Sequence, residues 1–294
     1  MVRRWNGWGW NKRILFPETM RFRFSLDTTA YEVDLSRPMP IGIPVEFGGQ
    51  QPNFFDADMA QAHALELGGF LGDTRRGGSC NVETITITPH CNGTHTECAG
   101  HILDQAISVL DMVSPTPCLA LVVSVRPEAA EHSGDSYSVP LDPDEQLITR
   151  RALDSALKPF ASNSLAQALV VRTLPNNSDK RWRHYRGANS HPFFSIEGMQ
   201  RVLETQTSHL LVDTPSVDRA KDGGKLWVHR MFWRIAQGSR TAPKQGLPKR
   251  SITEMIYVPD DIADGLYLQD LHIAPFVAEA APSRPILYPL RTVS

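Results

Sequence analysis

Between His90 and His101, twelve consecutive residues hold three histidines, two cysteines and one glutamate: His90, Cys91, His95, Glu97, Cys98 and His101. Thiolate, imidazole and carboxylate are the usual zinc donors, and three protein ligands plus a water make the open, catalytic arrangement. His95 and Glu97 stand two apart, so in an extended chain their side chains leave on the same side. Gly93 and Gly100 permit tight turns and close approach, which lets Cys91 and His101 swing round to meet them. Taken singly, each residue has a plainer explanation. Cysteines are commonly buried as small hydrophobes, and a lone histidine after a strand is more often a hydrogen-bonded structural residue. Four donors converging around two glycines turn the balance toward a metal site. His90, beside Cys91, is the alternative donor if the loop is arranged differently.

The same segment resembles the H-x-G-T-H-x-D-x-x-x-H signature of the cyclase family, which includes bacterial kynurenine formamidase and isatin hydrolase. Gly93-Thr94-His95 matches G-T-H and His101 matches the last histidine. Glu97 replaces the aspartate, and Cys91, not His90, falls at the first ligand position. Weaker similarities follow in the family's order: Asp34–Pro44 to its opening D-L-S-H-P-I segment, Val212–Asp218 to its D-T-P-S-I-D stretch, Trp227–Arg230 to its x-x-H-R, and Ser251–Glu254 to the place of its I-I-E-N glutamate. The resemblance covers about Asp34 to Tyr288.

The resemblance implies one metal on Cys91, His95 and Glu97, and a second on Glu97, His229 and Glu254 with Glu97 bridging. It places His101 beside the centre as the catalytic acid/base, or as a further ligand. Read without it, His229 is a helix-surface imidazole and Glu254 a solvated strand residue. The implied chemistry is hydrolysis of a small amide, formamide or lactam, since a divalent ion lowers the pKa of bound water from about 15.7 toward 7. Zinc is expected because the Cys91 thiolate is soft; manganese is the alternative, and one or two ions fit. Two other readings stand beside hydrolysis: a lyase or cyclase that polarises a carbonyl for enolisation, and a family member that binds a metal or ligand without catalysis. An extra base at His101 favours catalysis. Phe47, Gln50, Gln51, Phe54 and Phe55 are candidates to wall a pocket for an aromatic or cyclic substrate, against simple loop packing. Ser216 and Asp218 either support the ligands or form a turn.

The elements that must position these residues are partly legible. Arg21–Val33 alternates as a strand, and Pro38, Pro40, Gly42, Pro44, Gly48 and Gly49 mark an irregular loop ending at Phe54-Phe55. Val82–Thr88 is a β-branched strand stopped by Pro89. Leu119–Val125 is an apolar run of buried-strand type, followed by a helix over Asp142–Phe160, with Leu147, Leu153, Leu157 and Phe160 on one face, and a strand over Leu165–Arg172. A helix over Ser195–Thr205 and strands over His209–Asp213, Ile252–Val258, Leu266–Leu271 and Ile286–Leu290 complete the pattern. Strands outnumber helices without regular alternation, which points to a single mixed α/β domain; the resemblance makes it the swivelling β/β/α, cyclase-like type, over residues 21–294. Residues 1–20, with Trp5, Trp8 and Trp10 among Arg3, Arg4, Lys12 and Arg13, read as an N-terminal appendage.

A formal net charge of −2 over 294 residues argues against a duplex-binding protein, which needs a marked basic excess. The longest apolar run, near Cys118–Val125, is too short to span a bilayer, and Met1–Phe16 lacks the apolar core of a signal peptide. Four cysteines, at 80, 91, 98 and 118, are too few for a disulfide framework in a chain of this size. The expectation is a cytoplasmic homo-oligomer acting on a small molecule, with no nucleic-acid or membrane partner.

Overall fold

The apolar run at Cys118–Val125 forms a strand with parallel partners in Ala168–Thr173 and then, beyond it, His209–Val212 and Ser251–Glu254. These positions come from the computed structural model, which describes residues 20–26, 28–113, 117–161, 166–187 and 191–293. On its other side Cys118–Val125 pairs antiparallel with Gly265–Ile273, which pairs antiparallel with the long strand Ala280–Val293. The short strand His95–Glu97 pairs antiparallel with both Ser251–Glu254 and the start of Ala280–Val293. The sheet therefore closes on itself, and His95–Glu97 is the strand that closes it.

Both faces of this sheet are covered, which is why its parallel strands read as continuous apolar runs rather than alternations. The inner face carries smaller side chains: Ala120, Val122, Ala168, Val170 and Leu211 pack with Ile41, Ile256, Val258 and Leu287. The outer face carries Leu121, Val123, Leu169, Val171, Leu210 and Val212, packed against the helices Arg150–Leu157, Ile196–Glu204 and Trp227–Trp233. The result is one mixed α/β domain built round a closed sheet.

Several elements depart from the sequence pattern. The helix expected over Asp142–Phe160 begins only at Arg150, because the Thr149 hydroxyl accepts from the Ala152 amide and caps it there. Leu147 and Ile148 belong to a small separate sheet, paired with Phe193 and Phe194. Arg21–Val33 is an antiparallel pair, Arg21–Leu26 with Thr29–Asp34, rather than one strand. Ile252–Val258 is a strand only as far as Glu254, since Met255 takes a positive φ of 52°. The loop over 38–55 contains two short strands, Met39–Pro40 and Asn53–Phe54. The proposed 1–20 appendage falls, apart from Met20, outside the described residues. Among the described residues no helix is long and apolar enough to cross a membrane.

Candidate metal centre

The strand His95–Glu97 sets the site. Being extended, it sends His95 and Glu97 to one side, and the register with Ser251–Glu254 places Glu254 directly opposite His95. Directly opposed residues in an antiparallel pair share a face at close range, so pairing alone gathers His95, Glu97 and Glu254. Thr94 locks this strand's entrance: its hydroxyl accepts from the Ile43 amide at 2.8 Å and donates to the Met255 carbonyl. That contact ties the proline-rich opening segment to the motif fifty-one positions away.

His229 arrives from the helix Trp227–Trp233. Asp218 accepts from the amides of Val228 (2.8 Å) and His229 (3.1 Å) at the helix start, and from the His229 ring at Nδ1 (2.6 Å). The Tyr137 hydroxyl donates to the same carboxylate. One buried aspartate thus satisfies the helix's orphan amides and fixes the imidazole, leaving Nε2 aimed at Glu97 Oε1 (2.9 Å) and Glu254 Oε1 (3.6 Å). His95 is oriented likewise, with Nδ1 3.0 Å from the Gly93 carbonyl and Nε2 3.5 Å from Glu254 Oε2.

His90 sits in the helical turn Pro89–Asn92. Its Nδ1 lies 3.2 Å from Glu97 Oε2, and its Nε2 3.1 Å from Glu279 Oε1. His101 stacks on His90 with ring centroids 4.3 Å apart, and its Nε2 is 3.9 Å from Glu97 Oε2. The turn carrying His101 passes close to the chain at Ile107: a Cβ on Gly100 would stand 2.5 Å from the Ile107 carbonyl oxygen.

The charges are set by opposed forces. Burial raises the Glu97 pKa, but His101 and His229 together hold it well below the usual carboxylate range. Burial works against charge on His229, yet Glu97 and Asp218 raise its pKa well above the ordinary imidazole value. For His90, burial is likewise overcome by Glu279 and Glu97, and its pKa is pushed up to about 10. His101 goes the other way: burial, with repulsion from His90 and His229, outweighs Glu97 and lowers its pKa. Its neutral form is therefore favoured over that of His90 or His229, whose pKa values are raised.

The structure brings five sequence candidates, His95, Glu97, His101, His229 and Glu254, into one cluster. Three sets of donor atoms there lie within 4.8 Å of one another: His90, His95 and Glu97; Glu97, His101 and His229; His90, His101 and Glu279. Cys91 belongs to none of them, whereas His90 belongs to two. Burial raises the Cys91 pKa, and the nearby Glu254 charge raises it further.

The candidate pocket wall is less unified. The Gln51 amide donates to the carbonyls of Glu46 and Ala60 and accepts from the Ala60 amide, so it staples its own loop. Phe54 is buried with Ile43, Tyr185 and Met255, while Phe47 and Phe55 are exposed. Glu279 was invisible to motif reading. It has no local signature, and only the pairing of Ala280 with Glu97 carries it to the site. Tyr137 was missed for the same reason.

The Cyclase family model, described as "Putative cyclase", matches residues 33–219, more than half of the chain. The protein belongs to the cyclase family. Solved structures that this protein resembles include a "predicted metal-dependent hydrolase from Bacillus stearothermophilus", at 14% identity and TM-score 0.51, covering 86% of this chain and 98% of that one. Others are an isatin hydrolase bound to the product analogue thioisatinate, at 12% identity, TM-score 0.56 and 87% and 93% coverage, and isatin hydrolase A from Labrenzia aggregata bound to benzyl benzoate, at 12%, 0.53, 86% and 93%. At these identities the likeness is one of fold. No curated protein matches the sequence.

The residues of this cluster fit a divalent cation. His95 Nε2 and Glu97 Oε2 are buried and make no hydrogen bond; their nearest charged neighbours are Glu254 Oε2 at 3.5 Å and His90 Nδ1 at 3.2 Å, and buried polar atoms are nearly always hydrogen-bonded. Two buried carboxylates, Glu97 and Glu254, face each other's charge, and a cation among them would relieve both that repulsion and the unpaired atoms. The contacts His95–Gly93 carbonyl and His229–Asp218 are the kind of outer support that metal-binding imidazoles receive.

Proposed function

We propose that this cyclase-family protein is a metal-dependent hydrolase of a small amide, formamide or lactam with an aromatic or cyclic body. The observation that carries this reading is the gathering of His90, His95 and Glu97 ligand atoms within 4.8 Å of one another, with His95 Nε2 and Glu97 Oε2 buried and making no hydrogen bond. His90, His95 and Glu97 would hold one ion, with His90 taking the place that motif alignment gives to Cys91. His229 and Glu254 hold a second beside Glu97. Zinc is the first choice and manganese the alternative. A bound divalent ion supplies charge for the developing oxyanion and a water with a pKa near 7.

The protein's own groups do the rest. Neutral His101 takes the attacking water's proton at Nε2 as the water oxygen bonds to the carbonyl carbon, and returns it to the leaving nitrogen as the C–N bond breaks, so that acid and amine leave with the water's atoms divided between them. Glu254 and Glu97 keep the imidazoles opposite them in place. Likeness to an isatin hydrolase fold supports a cyclic amide substrate, and the four free cysteines accord with a reducing, cytoplasmic setting.

Elemental analysis after dialysis against a weak chelator, paired with a panel of aryl formamides, isatin-like lactams and cyclic imides read by acid release, tests the proposal. One or two equivalents of divalent metal and chelator-sensitive, metal-restorable hydrolysis are expected. A folded protein that refuses zinc and manganese would remove the metal centre. A metal-loaded protein that hydrolyses nothing but binds an aromatic acid tightly would replace hydrolysis with binding.

A further inference from the structure

Glu279 belongs to no motif, yet it reaches the cluster from the start of the strand Ala280–Val293. Its neighbour Ala280 pairs with Glu97, and the Cys98 amide donates to the Glu279 carbonyl at 3.0 Å. Register alone therefore sets Glu279 beside Cys98, one step along from Glu97. The carboxylate is held through both oxygens: Oε2 accepts from the Ala280 amide at 2.8 Å, and Oε1 lies 3.1 Å from His90 Nε2. The turn that carries His101 packs against the Glu279 stem, since a Cβ on Gly100 would stand 3.0 Å from the Glu279 Cβ.

A half-exposed glutamate beside a histidine is ordinarily a surface ion pair of small worth. What sets this pair apart is the other nitrogen of the same ring. His90 Nδ1 lies 3.2 Å from Glu97 Oε2, and Glu97 is fully buried. A neutral imidazole has one N–H and one lone pair, and a carboxylate can only accept. With Glu279 accepting the Nε2 hydrogen, the Nδ1 lone pair faces the cluster. Nδ1 and Glu97 Oε2 then meet as two acceptors, and a cation between them satisfies both.

Two other imidazoles of the cluster are anchored in the same manner but through the opposite atom. His95 Nδ1 has the Gly93 carbonyl at 3.0 Å, and His229 Nδ1 has Asp218 at 2.6 Å, which leaves Nε2 of each ring for the cluster. An oxygen acceptor behind each ring is the usual way that a metal-binding imidazole is oriented. Glu279 supplies that acceptor for His90.

We propose that Glu279 is a positioning residue for the metal centre: it takes the Nε2 hydrogen of His90 and makes Nδ1 the nitrogen that binds the ion. The assignment rests on the metal-centre reading above. Without Glu279 the His90 ring is free to turn about its Cβ–Cγ bond, and either nitrogen can face Glu97. His101 stacks on that ring with centroids 4.3 Å apart, so a ring held by Glu279 also fixes one wall of the place that His101 occupies.

Zinc titration against a chelating dye, with heteronuclear NMR of labelled histidine rings in the zinc-loaded full chain, tests the proposal. In the wild type the His90 ring is expected to carry its hydrogen on Nε2 and to bind zinc through Nδ1. Glu279→Ala should weaken zinc binding about 10–100-fold, the usual loss when a ligand's outer partner is removed. Glu279→Gln, whose amide oxygen still accepts from Nε2, should recover most of that loss. The melting temperature of the metal-free protein should stay near wild type in both variants. Wild-type zinc affinity in Glu279→Ala, or a His90 ligated through Nε2, would overturn this assignment alone. So would a lowered melting temperature with no rescue by Glu279→Gln, which would make the residue a structural one. A wild-type chain that binds no zinc would overturn the metal-centre reading, and this assignment with it.

Discussion

His90 and Cys91 are adjacent, and a single peptide step decides which side chain enters the cluster. The structure turns the imidazole between Glu97 and Glu279 and leaves the thiol buried, with a raised pKa. His90→Ala is therefore expected to lower zinc affinity at least tenfold, while Cys91→Ser leaves it within a few-fold; competition with a chelating dye measures both. In the cobalt-substituted protein no sulfur-to-metal charge-transfer band should appear. A strong band, lost in Cys91→Ser, would return the thiolate to the ligand set. His101 makes a separate prediction. Burial favours its neutral form, which has a nitrogen free to take a proton, and general acid–base help contributes about 10²–10⁴-fold. His101→Ala should cost that much in kcat with metal content near wild type. Loss of metal in the variant would make His101 a ligand.

At the scale of elements, the centre depends on how the short helix Trp227–Trp233 is started. Leu226 offers no side-chain cap and itself has positive φ, so Asp218 supplies the acceptor for the first amides and the same carboxylate orients His229. Asp218→Asn keeps the shape but removes the charge that balances His229. Outer-support mutations of this kind typically cost 10–100-fold in metal affinity, and removing one partner of a buried ion pair costs about 3–5 kcal/mol. Both effects are expected, read by zinc titration and by urea unfolding of the metal-free protein. A normal urea midpoint with weakened metal binding would restrict Asp218 to orienting His229; unchanged values of both would show that the helix start is held by other contacts.

At the scale of the whole molecule, acid sensitivity should come partly from a histidine far from any proposed chemistry. His209 lies on an interior strand of the closed sheet, 2.9 Å from the Ser251 hydroxyl through Nδ1, and burial lowers its pKa to about 4. An unfolded histidine titrates near 6.5. The folded value is the lower one, so the unfolded chain binds the proton first, and stability drops as pH falls from about 6.5 toward 4. Above that window His209 is neutral in both states and contributes no slope. Each pKa unit corresponds to about 1.4 kcal/mol, so this residue accounts for about 3 kcal/mol over the window. His191, lowered to about 4 by burial as well, adds in the same direction. Urea midpoints at pH 7, 5.5 and 4.5 should fall steadily, and His209→Gln should flatten the trend; an equally steep fall in the variant would assign it to other groups.

How much of this could be read from the chain alone follows the range of each interaction. The local set Cys91, His95, Glu97 and His101 is legible as a candidate because its members are neighbours in sequence, and an extended strand sends alternate residues such as His95 and Glu97 to one side whatever surrounds it; the choice between Cys91 and its neighbour His90 is not. The strands expected over Leu119–Val125, Leu165–Arg172 and His209–Asp213 are legible because burial on both faces leaves a run of apolar side chains, and they form as Cys118–Val125, Ala168–Thr173 and His209–Val212. The helix over Asp142–Phe160 was misread at its start because Leu147 fits a helical face as well as a short strand, and only pairing with Phe193 chose between them. Glu254 and His229 carried no local signal and came from family resemblance. Glu279 came from neither. The sequence by itself determined the chemical types available and the strands that could carry them. The closure of the sheet decided the rest, because register between Ala280, Glu97 and Ile252 sets which distant side chains meet, and register is a property of paired strands rather than of any one of them.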